Sequence, residues 1–304
     1  MIAIWGGGSA GNRYKSIINE LGFETIILKR DANGDAFQLK NLNLQSIKGV
    51  VICTPTIFHS EQAIKLLEKN IPVLCEKPIA HSYEDGVSIV QTANRTGTKF
   101  HVGYNQRFLK AYNSFKNTKW GKPLESSSVW AERVSDWQPG KNFKISYSVR
   151  KDLGGGAPLT LSHDFDWWTG LHSNLEVSDV SSSKDESLGI NIDTNFDIIL
   201  DGDVRCYINL NYGTDGPPKR YYKTKYENGT LKYEPLLSKL NFYWKDGSIE
   251  SILIEQDWNE IRLESFKNTF INFINDERKP SDLSEWEMGL SALKVATIVD
   301  DWND

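Results

Sequence analysis

An acid and a base stand side by side at Glu76 and Lys77, between the apolar run at 72–75 and Pro78. The run predicts a strand, so the pair would lie at its carboxyl end, where doubly wound sheets bind ligands. A lysine there can bind a substrate hydroxyl and stabilise the alkoxide that develops as a hydride leaves. Burial would lower its pKa and let it share the proton. The alternative is a surface ion pair at a turn, which needs no ligand.

A glycine loop follows the first apolar run. Residues 6–11, GGGSAG, match the pattern G-x-G-x-x-G between a predicted strand and a predicted helix. In that setting Gly6 allows a tight turn, Gly8 lets the backbone approach a pyrophosphate, and Gly11 allows close helix packing. The helix N-terminus offers N–H groups and partial positive charge to the phosphates. The motif alone has little specificity, but in this setting it predicts a dinucleotide site.

The choice between NAD and NADP depends on residues near the end of the next apolar run, TIIL. Asp31 lies near the spacing at which an acid binds the ribose 2′-hydroxyl of NAD. Lys29 and Arg30 stand at the predicted strand tip, where two cations would suit the 2′-phosphate of NADP. The alternative is that both are solvated charges. These residues favour NADP over NAD.

A second candidate for proton transfer is His163, in the stretch GGGAPLTLSHDFDWW. The glycines at 154–156 permit an unusual backbone path into a helix that would carry the histidine. Asp164 and Asp166 follow closely. Histidine exchanges protons near neutral pH, which suits an acid-base role. The alternative is a histidine that only packs or caps the helix.

The other histidines are weaker candidates. His59 follows TPTIF at a predicted helix start and could line the cofactor pocket, whereas His101 lies in a predicted strand and is expected to pack. The five histidines do not cluster and the three cysteines lack ligand spacing, so no metal site is predicted. Cys53 and Cys75 are expected to be small buried hydrophobes.

The hydrophobic period changes near Lys119. Before it, short apolar runs alternate with helices predicted near 12–21, 60–68 and 83–94, a pattern typical of a parallel sheet covered on both faces. After it, long polar-apolar alternations with Asp-Gly and Asn-Gly turns predict a mostly antiparallel sheet. Helices near 262–275 and 284–302 close the chain. We therefore expect two domains, at 1–118 and 119–304.

The composition excludes some classes of protein. The chain has 304 residues and a formal net charge of −5, which argues against a nucleic-acid binder. No hydrophobic run is long enough to span a bilayer, and the N-terminal segment lacks the basic region of a signal peptide. With an odd number of unclustered cysteines, a reducing cytoplasm is the expected location.

The segment before His163 combines aromatic and basic residues. Its aromatic residues include Trp130, Trp137, Phe143 and Tyr147, and its basic residues include Arg133, Lys141, Lys144 and Arg150. Aromatic faces suit the C–H face of a sugar, and cations suit a phosphate or carboxylate. The alternative is that the aromatic residues fill the interface between a sheet and a helix.

Four stretches carry a resemblance to a known family: GGGSAGNRY, VVICTPTIFHSEQAIKLLEKNIPVLCEKPIA, VGYNQRF and GGGAPLTLSH. Together they resemble the Gfo/Idh/MocA oxidoreductases, the group of glucose-fructose oxidoreductase and inositol dehydrogenase. The resemblance covers much of the first domain and the entry helix of the second. Its most specific part is the ordered series Thr54-Pro55, His59, 76–78 and 105–108.

The resemblance implies an α/β fold, in which a Rossmann domain with a doubly wound parallel sheet precedes an α+β domain with a large, open, mostly antiparallel sheet. It places the active site between them, with Lys77 orienting the reacting hydroxyl and His163 as the acid-base residue. In many members the Lys-Pro bond is cis, which would aim the lysine inward. The expected cofactor contacts are Gly6, Gly8, Ser9, Ala10, Gly11, Lys29, Arg30, Thr54, Pro55, His59 and Glu76. The expected substrate contacts are Tyr104, Arg107, Trp137, Tyr147, Thr160 and Asp164.

The chain departs from the family pattern at one position. Many members carry an aspartate one turn before the histidine, where this chain has Thr160. Asp164 or Asp166 would have to replace that carboxylate, or His163 would act without it. The region between Asp31 and Lys48 is also short, which predicts a trimmed sheet.

The expected activity is an NAD(P)-dependent sugar dehydrogenase or reductase. The segment before His163 resembles that of members linked to bacterial surface-polysaccharide synthesis, which favours a nucleotide-linked sugar or sugar acid as substrate. The alternatives are a glycosidase that oxidises its sugar transiently with NAD, and a regulator that binds nucleotide without chemistry. The second sheet could form a homodimer or homotetramer or could face solvent, and the sequence leaves these open.

Overall fold

The structure is a computed structural model that describes residues 1–28, 46–137, 139–253 and 257–302. The strands are β1 Ile2–Trp5, β2 Thr25–Leu28, β3 Gly49–Ile52, β4 Val73–Cys75, β5 Phe100–Val102, β6 Pro123–Ala131, β7 Glu176–Ser183, β8 Asn195–Asp201, β9 Arg205–Asn211, β10 Lys219–Tyr226, β11 Gly229–Glu234, β12 Lys239–Trp244 and β13 Ile249–Leu253. The α-helices are α1 Ser9–Glu20, α2 His59–Leu67, α3 Tyr83–Thr96, α4 Lys110–Phe115, α5 Ala157–Thr160, α6 His163–Thr169, α7 Trp258–Asn275 and α8 Leu290–Asp300.

The chain divides into two compact units. The first comprises Met1–Asn105 and Glu264–Leu293, and the second comprises Gln106–Leu263 and Lys294–Asp304. The sequence expectation placed one boundary near residue 118 and assigned everything after it to the second domain. In the structure the chain passes from the first unit to the second after residue 105, and most of α7 lies in the first unit.

A five-stranded parallel sheet of order β2-β1-β3-β4-β5 forms the centre of the first unit. β1, β3 and β4 are buried along their whole length, as expected for strands covered on both faces. This doubly wound Rossmann sheet confirms the predicted fold class for the N-terminal part.

Three phenylalanines explain why α7 belongs to the first unit. Phe266, Phe270 and Phe273 pack into the buried cluster formed by β1, α1, β3 and β4, where they contact residues such as Ile4 and Leu74. The Lys99 ammonium donates to the carbonyl oxygens of Phe273, at 3.2 Å, and of the next residue, at 3.1 Å. Those carbonyls end the helix, so a cation there satisfies acceptors that have no partner within the helix.

The second unit is built on an eight-stranded sheet of order β13-β12-β11-β10-β6-β9-β8-β7. Its pairs are antiparallel except for β6 and β9, which run parallel. One face is covered by α6, whose Trp167 stacks on Tyr222 with ring centroids 4.1 Å apart. The predicted large, mostly antiparallel sheet is confirmed.

Three details of the fold differ from what the sequence predicted. No strand was predicted at 176–183, because β7 is an edge strand with mostly exposed side chains and no clear alternation. The predicted helix that carries His163 is two short helices, α5 and α6, rather than one. The last helix begins at Leu290 instead of near 284. No helix among the described residues is long and apolar enough to cross a membrane.

Replacing Phe270 by alanine should lower the free energy of unfolding by about 3–5 kcal/mol, because it removes a fully buried ring from the first unit's core. Leu263→Ala on the same helix is the matched control, since that side chain is 48% exposed and its loss should cost about 0.5 kcal/mol or less. Urea unfolding of both variants measures the difference. Equal losses would contradict the assignment of α7 to this core.

Candidate active site

The glycine loop between β1 and α1 has the geometry that its three glycines predict. A Cβ added at Gly6, whose φ is +116°, would lie 2.6 Å from the Cys53 carbonyl oxygen. One added at Gly11 would lie 1.9 Å from the Gly6 carbonyl oxygen, whereas one at Gly8 would meet nothing within 4 Å. Gly6 and Gly11 are thus required by the protein's own packing, and Gly8 presents open backbone.

This open side fits a dinucleotide pyrophosphate. Gly8 and Ser9 are exposed and Ala10 is half-buried, so the first turn of α1 is accessible. That turn contains no acidic residue that would repel a phosphate. Its N–H groups are available because the intrahelical bonds begin with Asn12 N–H donating to Gly8. Lys29, Arg30 and Asp31, which bear on the choice of cofactor, lie outside the described residues.

Glu76 and Lys77 directly follow β4, as predicted. The Glu76 N–H still donates to Ile52 on the neighbouring strand, at 2.9 Å. Its carboxylate accepts the Lys77 backbone N–H at 3.2 Å, and burial raises the pKa of the carboxyl group while the Lys77 charge lowers it. The peptide bond from Lys77 to Pro78 is cis, which confirms the geometry implied by the resemblance.

His59 holds the ends of β3 and β4 together from inside the protein. The imidazole is 1% exposed, and its two nitrogens lie 2.8 Å from the carbonyl oxygens of Pro78 and Thr54. Burial lowers the pKa of the ring, against the opposing effect of the two carbonyls. The Thr54 hydroxyl is also used internally, since it donates to Gln62 at 2.7 Å.

His59 and Thr54 stay predicted cofactor contacts, and the structure gives their polar groups partners within the protein. Their side chains are bonded within the protein because each must satisfy a polar group that the loop buries. Their part is to hold the loop that leads to Lys77. Pro55 is half-buried and remains a predicted cofactor contact.

His163 is the first residue of α6 and is 8% exposed. The glycines before it make a path that larger residues could not follow: a Cβ at Gly155 would lie 1.9 Å from the Tyr147 carbonyl oxygen, and Gly156 has φ of +118°. The imidazole lies nearly parallel to the Trp130 indole, with ring centroids 6.5 Å apart. The backbone path through the glycines thus fixes the position of His163 beside the Trp130 indole.

The two aspartates after His163 have different partners. Asp166 is bound by Arg107, whose Nε and terminal nitrogen reach it at 3.0 and 2.6 Å. Asp164 is fully buried and accepts the Tyr222 hydroxyl at 3.2 Å, while that hydroxyl also lies 2.9 Å from Gln106 Oε1. Burial raises the pKa of Asp164 to about 6.

The predicted substrate contacts are placed unevenly. Tyr104 and Asp164 are fully buried and Arg107 is paired with Asp166, and all three stay predicted substrate contacts. Tyr147 is 40% exposed. Trp137 and Thr160 remain predictions, with Trp137 packed edge-on against Tyr212.

Sequence reasoning missed Tyr222 and Arg220, which β10 brings to the buried face next to α6. Their alternation with exposed residues in KRYYKTKY was a signal that the two share one face, but their partners could not be read from it. Among the described residues, no group of three or more histidines, cysteines or acids could hold a metal ion.

The pKa of Asp164 predicts a pH dependence of stability. Because the folded protein binds this proton more tightly than the unfolded chain, the free energy of unfolding falls as pH rises from about 4 to about 6. The fall contributed by this group is on the order of 3 kcal/mol, at about 1.4 kcal/mol per pH unit. Asp164→Asn should abolish it, so the variant should gain stability relative to the wild type as pH rises.

Urea unfolding of wild type and Asp164→Asn at several pH values between 4.5 and 7.5 tests this. Asp179→Asn, an exposed aspartate of β7, is the control and should leave the profile unchanged. A constant difference between wild type and Asp164→Asn across the range would contradict the prediction.

Comparison with known proteins agrees with these features. Residues 29–104 match the model of the Gfo/Idh/MocA oxidoreductase family, described as having an NAD-binding Rossmann fold. The 4-carboxy-2-hydroxymuconate-6-semialdehyde dehydrogenase of Sphingobium sp. is 22% identical over 248 residues, 77% of this chain and 73% of that protein. The glucose-6-phosphate 3-dehydrogenase of Bacillus subtilis is 27% identical over 147 residues, 45% of this chain and 41% of that protein.

A solved structure extends the likeness over nearly the whole chain. The UDP-N-acetylglucosamine 3-dehydrogenase of Acidithiobacillus ferrooxidans superposes with a TM-score of 0.73 at 16% identity, covering 98% of this chain and 96% of that one. At that identity the likeness shows the fold. Residues 29–104 of this chain are therefore similar to the Gfo/Idh/MocA family of NAD-binding oxidoreductases, the family that its motifs resemble.

Proposed function

We propose that this chain is an NAD(P)-dependent oxidoreductase that moves a hydride at a ring hydroxyl or ketone of a sugar. One observation carries the proposal: the glycine loop follows β1 and Lys77 follows β4 of the same parallel sheet. The carboxyl ends of parallel strands meet at one edge, so a dinucleotide held by the loop and a substrate held by Lys77 share that edge.

Lys77 is the group that would bind the reacting oxygen. As an ammonium ion it donates a hydrogen bond to the substrate hydroxyl and stabilises the negative charge that grows on the oxygen while the C–H bond breaks. When bound, the nicotinamide supplies the site that gains or gives the hydride. The contacts of His59 with the carbonyl oxygens of Thr54 and Pro78 support this role. They restrain the backbone that follows β3 and β4, next to Lys77.

His163 is the group that would carry the proton. In the oxidising direction the substrate carbon loses hydrogen with its electron pair, the oxygen loses a proton to the imidazole, and a C=O bond forms. In the reducing direction the imidazolium returns that proton. The glycine path at 154–156 supports the assignment, because it fixes where the ring stands.

The proposed substrate class is a sugar with an anionic substituent, such as a nucleotide-linked sugar or a sugar acid of surface-polysaccharide synthesis. The aromatic and basic residues between 130 and 150 support it, since rings cover sugar C–H faces and cations bind phosphate or carboxylate. The names of the two relatives point the same way, because each describes an anionic compound, a carboxylated semialdehyde and a sugar phosphate.

Direct binding and turnover measurements test the proposal. NAD and NADP are titrated separately against tryptophan fluorescence, and a panel of nucleotide sugars and sugar acids is then screened by absorbance for reduced cofactor. Substrate-dependent reduction is the expected result. Binding of cofactor with product formed but no net reduction would support transient oxidation instead, and absence of cofactor binding would overturn the proposal.

Lys77→Ala should lower kcat by about 10²–10³-fold, because it removes the donor to the reacting oxygen, while the Kd of the cofactor changes little. Lys69→Ala, an exposed lysine after α2, is the matched control. Steady-state kinetics and cofactor titration separate the two effects. Unchanged turnover in Lys77→Ala would remove the lysine from the mechanism.

The cofactor preference predicts a second pair of variants. Lys29→Ala and Arg30→Ala should weaken NADP binding by about tenfold or more and leave NAD binding nearly unchanged, because only NADP carries the 2′-phosphate that a cation binds. Asp31→Ala should instead weaken NAD binding if that acid holds the ribose. Equal effects of Lys29→Ala and Arg30→Ala on both cofactors would contradict the preference for NADP.

A further inference from the structure

Two arginines of the second unit are buried, and their charges are balanced differently. The Arg107 side chain is 11% exposed and forms an ion pair with Asp166 at 2.6 Å. Arg220 is 9% exposed and, among the residues that the structure describes, forms no ion pair. A guanidinium withdrawn from water without a carboxylate partner is costly, so its presence calls for an explanation.

Aromatic rings surround the Arg220 guanidinium. Its central carbon lies 3.6 Å from the ring centroid of Trp130 and 5.2 Å from that of Trp258. One terminal nitrogen donates to the Tyr222 hydroxyl at 3.3 Å, while Nε is shielded from water and has no acceptor among the described residues. Indole faces stabilise a cation without neutralising it, so the charge of Arg220 persists in a largely dry site.

Asp164 lies beyond Tyr222 and compensates this charge only in part. The Tyr222 hydroxyl stands between the two groups: it accepts from Arg220 and lies 3.2 Å from the Asp164 carboxyl oxygen. Burial raises the pKa of Asp164 to about 6, despite the opposing effect of Arg220, so the carboxylate form is disfavoured relative to an exposed aspartate. Arg220 therefore has this carboxylate only at second hand, through the Tyr222 hydroxyl, and not in direct contact.

The cluster adjoins the proposed acid-base residue. Trp130 contacts Arg220 through cation–π geometry and lies parallel to His163 at a centroid separation of 6.5 Å. One indole thus neighbours both the group that would move the proton and the Arg220 guanidinium. A ligand beside His163 would therefore lie near the indole on which the Arg220 guanidinium stacks.

Two of the basic residues that the sequence singled out, Arg133 and Arg150, are less suited to bind an anion because each already has a carboxylate partner. The half-buried Arg133 is paired with Asp215 at 2.6 Å, and the exposed Arg150 is paired with Asp152. An incoming anion would have to displace an existing carboxylate at each of them. Among the described residues, Arg220 has no such competitor in direct contact.

We propose that Arg220, held between Trp130 and Trp258, binds the oxyanion of the substrate, a carboxylate or phosphate carried by the sugar. The proposal rests on the proposed function and deepens it, since it assigns the anionic substituent to one residue of β10. Its Nε, which has no acceptor in the part of the chain that the structure describes, supplies a donor. The indoles exclude water, and charge-assisted hydrogen bonds in such a site are stronger than in solution.

The test compares anionic and neutral sugars that share a ring. D-glucuronate carries a carboxylate, D-glucose 6-phosphate carries a phosphate, and D-glucose carries neither. Each is titrated into the cofactor-loaded protein while tryptophan fluorescence is followed, because Trp130 and Trp258 flank the cation. In the wild type at least one anionic sugar should bind about tenfold or more tighter than glucose, as expected for a charged hydrogen bond. The two anionic sugars together identify which oxyanion the site takes.

Three variants test whether Arg220 causes this preference for anionic over neutral sugars. Arg220→Gln should abolish it, Arg220→Lys should keep part of it, and Lys225→Met, an exposed cation of the same strand, should leave it intact. Circular dichroism and cofactor titration establish that each variant is folded. If Arg220→Gln does not fold, Arg220→Lys still tests the proposal, because it retains charge but loses the planar fork and should bind the anionic sugar more weakly than wild type.

The outcomes separate this inference from the proposed function. Equal binding of anionic and neutral sugars by the wild type, or a preference that survives in Arg220→Gln or is undiminished in Arg220→Lys, overturns the role of Arg220 even when turnover is observed. An Arg220-dependent preference without any reduction of cofactor supports the anion site and counts against the oxidoreductase proposal alone.

Discussion

The close approach of α1 to the parallel sheet sets the geometry of the whole cofactor edge. Gly11 lies so near the Gly6 carbonyl that no Cβ fits between them, and Gly6 in turn lies against the Cys53 carbonyl at the end of β3. These contacts bring the start of α1, the end of β1 and the end of β3 to one place. A side chain at either glycine would push the helix away from the sheet and separate the groups that a dinucleotide must contact together.

The same edge is braced by a histidine that the family motif contains but that does not face solvent. His59 meets the carbonyl of Thr54 after β3 and that of Pro78 after β4. A neutral imidazole carries one N–H, so one of these two contacts is a full hydrogen bond and the other is not. The ring thus links the loop after β3, which contacts the glycine loop, to the loop after β4, which contains Lys77. Its tautomer decides which of these two loops is held more tightly.

Much of the first unit could be predicted from the sequence because its signals are local. The glycine loop, the apolar strands and the pair Glu76-Lys77 each occupy a few adjacent residues, and the parallel topology places them at one edge without further information. The second unit was predictable only in outline. The ion pair of Arg107 with Asp166 and the hydrogen bond between Tyr222 and Asp164 join residues that are far apart in sequence. No local sequence pattern predicts such contacts. Arg220 was missed for the same reason, since its environment comes from β6, β10 and the start of α7.

The return of α7 to the first unit bears on how the protein can be made. During synthesis the first 105 residues, with all five strands of the parallel sheet, leave the ribosome long before the three phenylalanines that complete the core of the first unit. Until Phe266, Phe270 and Phe273 emerge, one part of that sheet's packing surface has no cover. The nascent chain must therefore keep an apolar face shielded by other means while more than half of the protein is still being synthesised, and an N-terminal fragment ending at residue 105 would expose that face permanently.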